Sequence, residues 1–191
     1  MANTLKFDRK EALESSMSLF WEKGYQGTST RDLLKATNLN PGSLYGTFGS
    51  KEALLSESLD CYKASLENQF MISQAKHENS LNGLHDFIIN ILLNEKSPSH
   101  LCFIFKMQIE LRGTDLEDVI KQSATIFEQW FLEAFTKAQS QGFLSTTNEP
   151  ALLVKTFQTR LLGWRAFLAM NPDDLFIRSE IENYFSELGN I

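Results

Sequence analysis

Small and polar residues are concentrated between positions 28 and 51, in a pattern that suits hydrogen bonding to DNA. Gly42, Ser43, Gly46 and Thr47 share one side of a short predicted helix. A side this slim can approach the floor of the major groove, where base edges offer donors and acceptors. Lys51 stands in the first turn of the next predicted helix, where its ammonium would meet a phosphate. The pattern predicts duplex DNA as a ligand.

Capping signals place these residues on two short helices. Ser29 stands three positions before Asp32, a short-acid capping box that predicts a helix start at Thr30. Asn38 follows where the chain must turn, since Asn tolerates positive φ better than most residues. Asn40 offers a second N-cap, and a proline follows at the first helical position. The sequence therefore predicts a helix-turn-helix.

A scaffold helix is predicted before this motif and a long helix after it. Asp8 and Glu11 form another capping box, and Gly24 supplies a C-terminal stop. Ser50 caps a helix that begins at Lys51. From the residues alone, an ordinary trio of packed helices explains the same caps and apolar spacing, so that alternative stays open.

A more specific combination of residues comprises Gly24-Tyr25, Thr28-Ser29-Thr30, Gly42-Ser43-Leu44-Tyr45, Phe48 and Lys51. With these residues, the first quarter of the chain resembles the TetR family of one-component repressors. The resemblance implies an all-α protomer, with a helix-turn-helix DNA-binding domain at residues 1–50 and a helical effector-binding and dimerisation domain at 51–191. It also implies a cytoplasmic homodimer that regulates transcription from a pseudo-palindromic operator. A small hydrophobic or aromatic effector, or thiol modification, would release this repressor from DNA.

The resemblance also implies individual DNA contacts. Carried over position by position, the phosphate contacts are Thr30, Tyr45, Thr47 and Lys51, and the base contacts are Asn40, Gly42, Ser43 and Gly46. Many members of the family carry a Tyr or Arg where this chain has Gly46, and a His where it has Thr47. The operator therefore cannot be copied from relatives.

The charge of the chain does not favour non-specific DNA binding. Residues 1–60 hold seven basic and eight acidic side chains, and the whole chain carries a net charge of −6. Non-specific affinity comes from neutralised phosphates and released counterions. We therefore expect salt-sensitive binding that depends on a local cluster of basic residues, namely Lys6, Arg9, Arg31, Lys35 and Lys51.

The rest of the chain is predicted to be a helical body with a well-filled core, since 42% of all residues are hydrophobic and 12% aromatic. Helical periodicity predicts further helices near 51–75, 80–95, 99–112, 115–141, 149–170 and 173–188. The N-terminus lacks an apolar signal-peptide core, and no segment approaches 18 uninterrupted apolar residues. A cytoplasmic location is therefore expected.

Aromatic residues of the body predict a pocket for a small hydrophobic or aromatic effector. The segment 101–107 is apolar on nearly all sides, which is typical of a buried central helix. Its side chains could converge with aromatic residues of two later helices, and a packed core is the alternative. The predicted pocket residues are Cys102, Phe103, Phe105, Met107, Gln108, Phe127, Trp130, Phe131, Phe157, Gln158 and Trp164.

The last two helices carry too many apolar positions for one buried stripe, which implies a partner surface. In the family that the chain resembles, these helices pair as a four-helix bundle. The predicted dimer residues are Leu161, Trp164, Leu168, Ile177, Ile181, Tyr184 and Phe185.

Other chemistry has little support in the sequence. Cys102 precedes apolar residues and Lys106, a loose likeness to family members that sense electrophiles, but a thiol in apolar surroundings is inert and a packing role is favoured. The histidines lack metal-ligand spacing, and no nucleophile elbow or phosphate loop is present. We predict no catalytic residue, cofactor or metal. The alternatives are an effector-independent DNA-binding dimer and, more remotely, a small helical enzyme.

Overall fold

The computed structural model describes residues 8–94, 101–147 and 149–189. Every regular element in these ranges is helical, which confirms the predicted all-α class. A π-helical segment, Asn90–Asn94, follows α5. The nine α-helices of the described ranges are α1 Arg9–Lys23, α2 Thr30–Thr37, α3 Pro41–Phe48, α4 Lys51–Ala75, α5 Ser80–Ile89, α6 Phe103–Glu110, α7 Glu117–Ser140, α8 Pro150–Met170 and α9 Asp174–Gly189.

The predicted helix boundaries are close to those observed. The predicted helix 80–95 differs most, because α5 ends at Ile89 and passes into the π segment. Residues 99 and 100, the start of the predicted helix 99–112, lie outside the described residues, as does Lys6. No helix in the described part of the chain is both long enough and apolar enough to cross a membrane.

The chain forms two compact units. Unit 1 comprises the chain up to Ala64 together with Phe103–Ser123, and unit 2 comprises Ser65–Cys102 and the chain from Ala124 onward. The first half of α4, with α6 and the start of α7, thus belongs to the same unit as α1–α3. The domain boundary predicted after residue 50 stays a prediction.

Unit 1 is built around buried side chains from each of its first four helices. Phe20 of α1, Leu33 of α2, Leu44 of α3 and Leu54 of α4 are all fully buried. Burial of one such side chain contributes about 1.5–3 kcal/mol to folding. The single buried residue of α2 is Leu33, whereas Ala36 of the same helix is exposed.

Unit 2 has an aromatic core centred on Phe157 of α8. The Phe157 ring lies 4.9 Å from Phe131 and 5.6 Å from Phe135, both edge to face, and 5.7 Å from Tyr184 in a stacked arrangement. Aromatic pairs at such distances add about 0.5–1.5 kcal/mol beyond the area that they bury. Helices α7, α8 and α9 are therefore held by ring packing.

Candidate nucleic-acid interface

Helix α2 begins and ends as its sequence predicts. The Ser29 hydroxyl accepts the Asp32 N–H at 3.2 Å, and the Asp32 carboxylate accepts the Ser29 N–H at 3.0 Å, which completes the capping box. The Asp32 carboxylate also accepts the Ser29 hydroxyl at 2.6 Å and the Lys23 ammonium at 2.9 Å, and these hydrogen bonds lower the pKa of Asp32. Asn38 adopts φ 55° and ends the helix in the left-handed conformation.

Helix α3 starts two residues after this turn. The Asn40 side-chain oxygen accepts the Ser43 N–H at 2.8 Å, Pro41 occupies the first turn, and Gly49 at φ 82° ends the helix. Leu44 and Phe48 are buried, so the opposite side of α3 faces outward. The predicted helix-turn-helix is confirmed, and its second helix presents the residues expected to read DNA.

The outward side of α3 has little steric bulk. Gly42 and Gly46 are exposed, and a Cβ atom built at Gly46 would meet no atom within 4 Å. A surface of this kind can lie close to base edges in the major groove. Asn40 is exposed as well, although its side-chain oxygen is already used as the cap of α3. Its amide donor is the group that a base acceptor could use.

The structure brings two predicted phosphate contacts together. The hydroxyl oxygens of Thr30 on α2 and Tyr45 on α3 lie 2.8 Å apart and share a hydrogen bond. Both residues keep exposed surface, as does Thr47, two positions further along α3. One of these hydroxyls donates to the other, so the pair has one O–H left to donate to a phosphate, a contact that fixes the register of a protein on the duplex without reading its sequence.

Lys51 is positioned by the aromatic ring of Tyr25, a residue that the sequence identified only as part of the family pattern. Its ammonium lies 4.2 Å from the centre of the Tyr25 ring, and the Tyr25 hydroxyl donates to Glu52 at 2.8 Å. Partial burial lowers the pKa of Lys51, and burial together with Glu52 raises the pKa of Tyr25. Tyr25 therefore stays neutral and holds the cation through its ring.

The predicted basic cluster divides into engaged and available residues. The Arg9 guanidinium is bound to Glu57 at 2.6 Å and lies over the Phe48 ring at 4.9 Å. Arg31 and Lys35 are exposed on α2, and the structure gives neither an ion pair with a described residue. These two are better placed than Arg9 to neutralise phosphates.

The predicted effector-pocket residues fall in both units. In unit 1, Phe103 is fully buried and packs edge-on against Tyr62 at 5.7 Å, while Phe105 is partly exposed. Met107 and Gln108 line a cleft of about 220 Å³ whose other walls come from Leu111 and Arg112, just after α6, and from α7. These residues therefore join the core and a cleft of unit 1.

The remaining pocket residues lie in unit 2, where most of the rings pack on one another. Phe127 lies 5.3 Å from Trp130 and 6.5 Å from Phe131. Phe157 and Trp164 belong to the aromatic core, whereas Gln158 and Cys102 are partly exposed. Trp130 also lines a separate cleft of about 360 Å³ next to Phe70, on which it stacks. The effector role of the whole set stays a prediction.

The predicted dimer residues are mostly buried within the protomer. Five of the seven are buried within the protomer, with exposed fractions between 0 and 6%: Trp164, Leu168, Ile177, Ile181 and Tyr184. Leu161 and Phe185 are partly exposed. Most of the apolar residues in the last two helices therefore help to fill the core of unit 2, and the dimer role of the set stays a prediction.

Comparison with known proteins was made for the sequence and for the fold. Residues 12–57 match the family described as bacterial regulatory proteins, tetR family. The chain is 29% identical over 142 residues to the transcriptional repressor ComR of Escherichia coli K12, covering 71% of this chain and 67% of that protein. It is 31% identical over 109 residues to IcaR, a negative regulator of the biofilm operon of Staphylococcus aureus Newman, covering 57% and 56%.

The fold resembles that of a regulator solved on DNA. A cysteine-substituted CifR, a TetR family transcriptional regulator complexed with 26-base-pair operator DNA, superposes with a TM-score of 0.82. The match covers 94% of this chain and 96% of that chain at 22% identity, a level at which the likeness shows the fold. The chain spans little more than half of IcaR and two thirds of ComR in the sequence matches.

Proposed function

We propose that this chain, which belongs to the TetR family of bacterial regulatory proteins, is a sequence-specific DNA-binding regulator of transcription. The observation that carries the proposal is the exposed, low-bulk side of α3, with Gly42 and Gly46 open to solvent. Hydroxyl donors and a cation border that side, as phosphate contacts border a recognition helix in a major groove. Its activity is binding in the cytoplasm, and we assign it no catalysis.

The proposed contacts divide into two classes. Thr30, Tyr45, Thr47 and Lys51, with Arg31, bind phosphates and determine affinity and its salt dependence. Ser43 and Asn40 offer polar groups to base edges, and the two glycines allow the helix backbone to come close. Because Gly46 provides no side chain at a central position of α3, backbone approach and DNA shape carry part of the specificity.

We propose a homodimer that represses transcription, which is consistent with the names of ComR and IcaR as repressors. A two-fold dimer would place two copies of α3 on one side of a pseudo-palindromic operator. The surfaces of α8 and α9 available for this contact are their exposed positions, including Gly163, Met170 and Leu175. Among these, Leu175 is 81% exposed and Met170 72%.

We further propose that a small aromatic effector regulates DNA binding. The cleft of about 360 Å³ in unit 2 has the stacked pair Phe70 and Trp130 on its walls, with Glu67 and Glu133 at its polar part. An aromatic molecule of modest size could pack on these rings. An effector that binds one conformation better shifts the population away from the DNA-competent state.

An effector-independent DNA-binding dimer is the second candidate. The aromatic core around Phe157 favours it, since those rings fill the space that a deep pocket would need. The two candidates make opposite predictions for small aromatic compounds. Only the first expects such a compound to change operator affinity.

The test begins with selection of bound fragments from a random DNA pool by the purified protein. We expect one recurring sequence with two-fold symmetry, bound by two protomers. A panel of aromatic and electrophilic compounds is then screened for release of that fragment, with Trp130→Phe as the variant that reports on the cleft. Failure to enrich any sequence would contradict the regulator proposal, and enrichment without release by any compound would favour the second candidate.

A further inference from the structure

The C-terminal end of α1 contains an interrupted helical turn. Its last backbone bond runs from the Gly24 N–H to the Phe20 carbonyl at 2.9 Å. In an α-helix each N–H donates to the carbonyl four residues earlier. A further turn of α1 would therefore join the Tyr25 N–H to the Trp21 carbonyl and the Gln26 N–H to the Glu22 carbonyl. Neither bond forms, because Gly24 adopts φ 85°.

Two charged residues of α6 bind the four groups that this interruption leaves over. The Lys106 ammonium donates to the carbonyls of Trp21 and Glu22, each at 2.7 Å. The Glu110 carboxylate accepts the N–H groups of Tyr25 at 3.0 Å and Gln26 at 2.6 Å. Lys106 and Glu110 are four residues apart, so they extend from the same side of α6.

This arrangement leaves no space for a side chain at Gly24. A Cβ atom there would lie 2.5 Å from a Glu110 carboxylate oxygen, in addition to the strain of the positive φ. The Gly24 carbonyl also accepts the Thr28 hydroxyl at 2.6 Å. The turn from Gly24 to Thr28 is therefore fixed at its first residue, its last residue and two central amides.

The segment Gly24–Thr28 positions Lys51, a proposed DNA contact. Tyr25 lies in it, and the Tyr25 ring carries the Lys51 ammonium at 4.2 Å. If Lys106 and Glu110 withdrew, the freed carbonyls and amides could pair with each other and extend α1. Tyr25 would then leave its place under Lys51. Loss of the pair thus predicts a changed conformation of the turn, with the remainder of unit 1 still folded.

We infer that Lys106 and Glu110 are positioning residues for DNA recognition, which hold Lys51 in place through the turn Gly24–Thr28 and Tyr25. The inference rests on the proposed DNA-binding function. It makes an unusual prediction about charge. Removal of an acid from a DNA-binding protein ordinarily strengthens binding, because the repulsion from phosphates falls. Removal of Glu110 should weaken it.

The experiment measures affinity for the selected DNA fragment over a range of salt concentrations. We expect Glu110→Ala to weaken binding about tenfold and to lower the salt slope, as loss of one phosphate contact does. Glu110→Gln keeps one acceptor oxygen, so its DNA affinity should lie between those of the unsubstituted protein and Glu110→Ala. Lys106→Met should resemble Glu110→Ala, while Lys106→Arg should restore most of the affinity, since it keeps donors for the carbonyls.

Glu117→Gln is the matched control. Glu117 also accepts a backbone N–H, that of Gly113 at 2.8 Å, and also pairs with a lysine, Lys121, but it does not touch the turn. The same loss of charge there should leave DNA affinity unchanged or slightly higher. A double-mutant cycle with Lys51→Ala tests whether Glu110 acts through Lys51, because the effects of residues that act through one another are not additive. In the Lys51→Ala background, Glu110→Ala should lower DNA affinity by less than about twofold.

Three results would overturn the inference. One is that Glu110→Ala binds DNA as tightly as the unsubstituted protein, and another is that its effect is undiminished when Lys51 is absent. The third is independent of DNA. Amide hydrogen exchange at Tyr25 and Gln26 should be faster in Glu110→Ala, and unchanged exchange would contradict the inference even if no DNA fragment were selected. Failure to select DNA would by itself count only against the proposed function.

Discussion

The helix-turn-helix of unit 1 and the aromatic core of unit 2 are stabilised in different ways. Helices α2 and α3 have eight residues each, with one fully buried side chain in α2 and two in α3. Side-chain caps define both of their N-termini. By contrast, α8 has 21 residues and no side-chain cap at Glu149, and the rings around Phe157 hold it. Local hydrogen bonds shape the proposed DNA-binding surface, and non-local packing shapes unit 2.

The difference has a functional consequence. Because only one side of each short helix is buried, the other side is free to carry hydroxyls, glycines and a cation. In unit 2, the buried side of α8 carries Phe157, Trp164 and Leu168, whose role is packing. The comparison predicts that substitutions in α2 and α3 change DNA binding more than stability, and that core substitutions in unit 2 do the reverse.

The largest effect on stability is expected at Phe157. Phe157→Ala removes the ring that contacts five other rings, and truncation of such a side chain costs about 3–5 kcal/mol in the free energy of unfolding. Chemical denaturation measures this. Met71→Ala, at a side chain that is 64% exposed, should change stability by less than about 0.5 kcal/mol. A loss at Phe157 as small as that of the control would break the comparison.

The next effect concerns DNA affinity. Lys51→Ala should weaken binding to the selected fragment by about 1–3 kcal/mol for every sequence tested, and reduce the salt slope by about one. Lys63→Ala serves as the control on the same helix, because Lys63 pairs with Asp60 at 2.6 Å. An unchanged affinity and salt slope in Lys51→Ala would show that the ammonium does not meet a phosphate.

A smaller effect tests the role of the caps. Ser29→Ala removes the oxygen that accepts the Asp32 N–H, and loss of such a cap costs about 1 kcal/mol. Glu149→Ala, at the N-cap of α8, should cost almost nothing, since its side chain makes no cap hydrogen bond. Equal losses of unfolding free energy in the two variants would contradict the distinction between capped and packed helices.

The smallest effect is a dependence of unit 2 on pH. His85 packs edge-on against Phe185 at 5.3 Å, and burial lowers its pKa below 6.5. The unfolded chain takes up the proton at about pH 6.5, while the folded chain resists it, so stability present above that pH falls as the pH decreases. Unfolding measured between pH 8 and 5 should show this decline. His85→Gln should flatten it, and an identical decline in that variant would assign it to other groups.

Much of unit 1 could be predicted because its signals are local. The Ser29–Asp32 capping box, the left-handed turn at Asn38 and the Asn40 cap each involve residues two to four positions apart. Such contacts can be read from the sequence. The contact of Glu110 with Tyr25 spans 85 positions, and nothing local indicates it. Gly24, the C-terminal stop of α1 in the sequence, marks where this turn begins but not which distant residues hold it.

The burial of the predicted dimer residues could not be read from the sequence for a related reason. Helical periodicity shows that a residue is apolar, but it does not show whether the protomer or a partner covers it. Ile177 and Ile181 were assigned to a partner, yet the protomer buries both completely or nearly so. Conversely, Leu175 stands out only when its exposed fraction is known. The division of apolar residues between core and interface depends on the packing of whole helices.

The most direct test of the DNA-binding surface is the substitution Gly46→Glu. A side chain at Gly46 meets no atom within 4 Å, and Glu is a better helix former than Gly by about 0.5–1 kcal/mol, so the fold should be kept or stabilised. A carboxylate in the groove would face phosphates and acceptor-rich base edges, and such like-charge contacts cost several kcal/mol, which is a loss of about a hundredfold in affinity. Ala64→Glu, at an exposed position of α4, is the control of equal charge. We expect Gly46→Glu to keep its thermal stability and lose DNA binding, and Ala64→Glu to keep both. If Gly46→Glu bound DNA as tightly as Ala64→Glu, the exposed side of α3 would not be the DNA-binding surface.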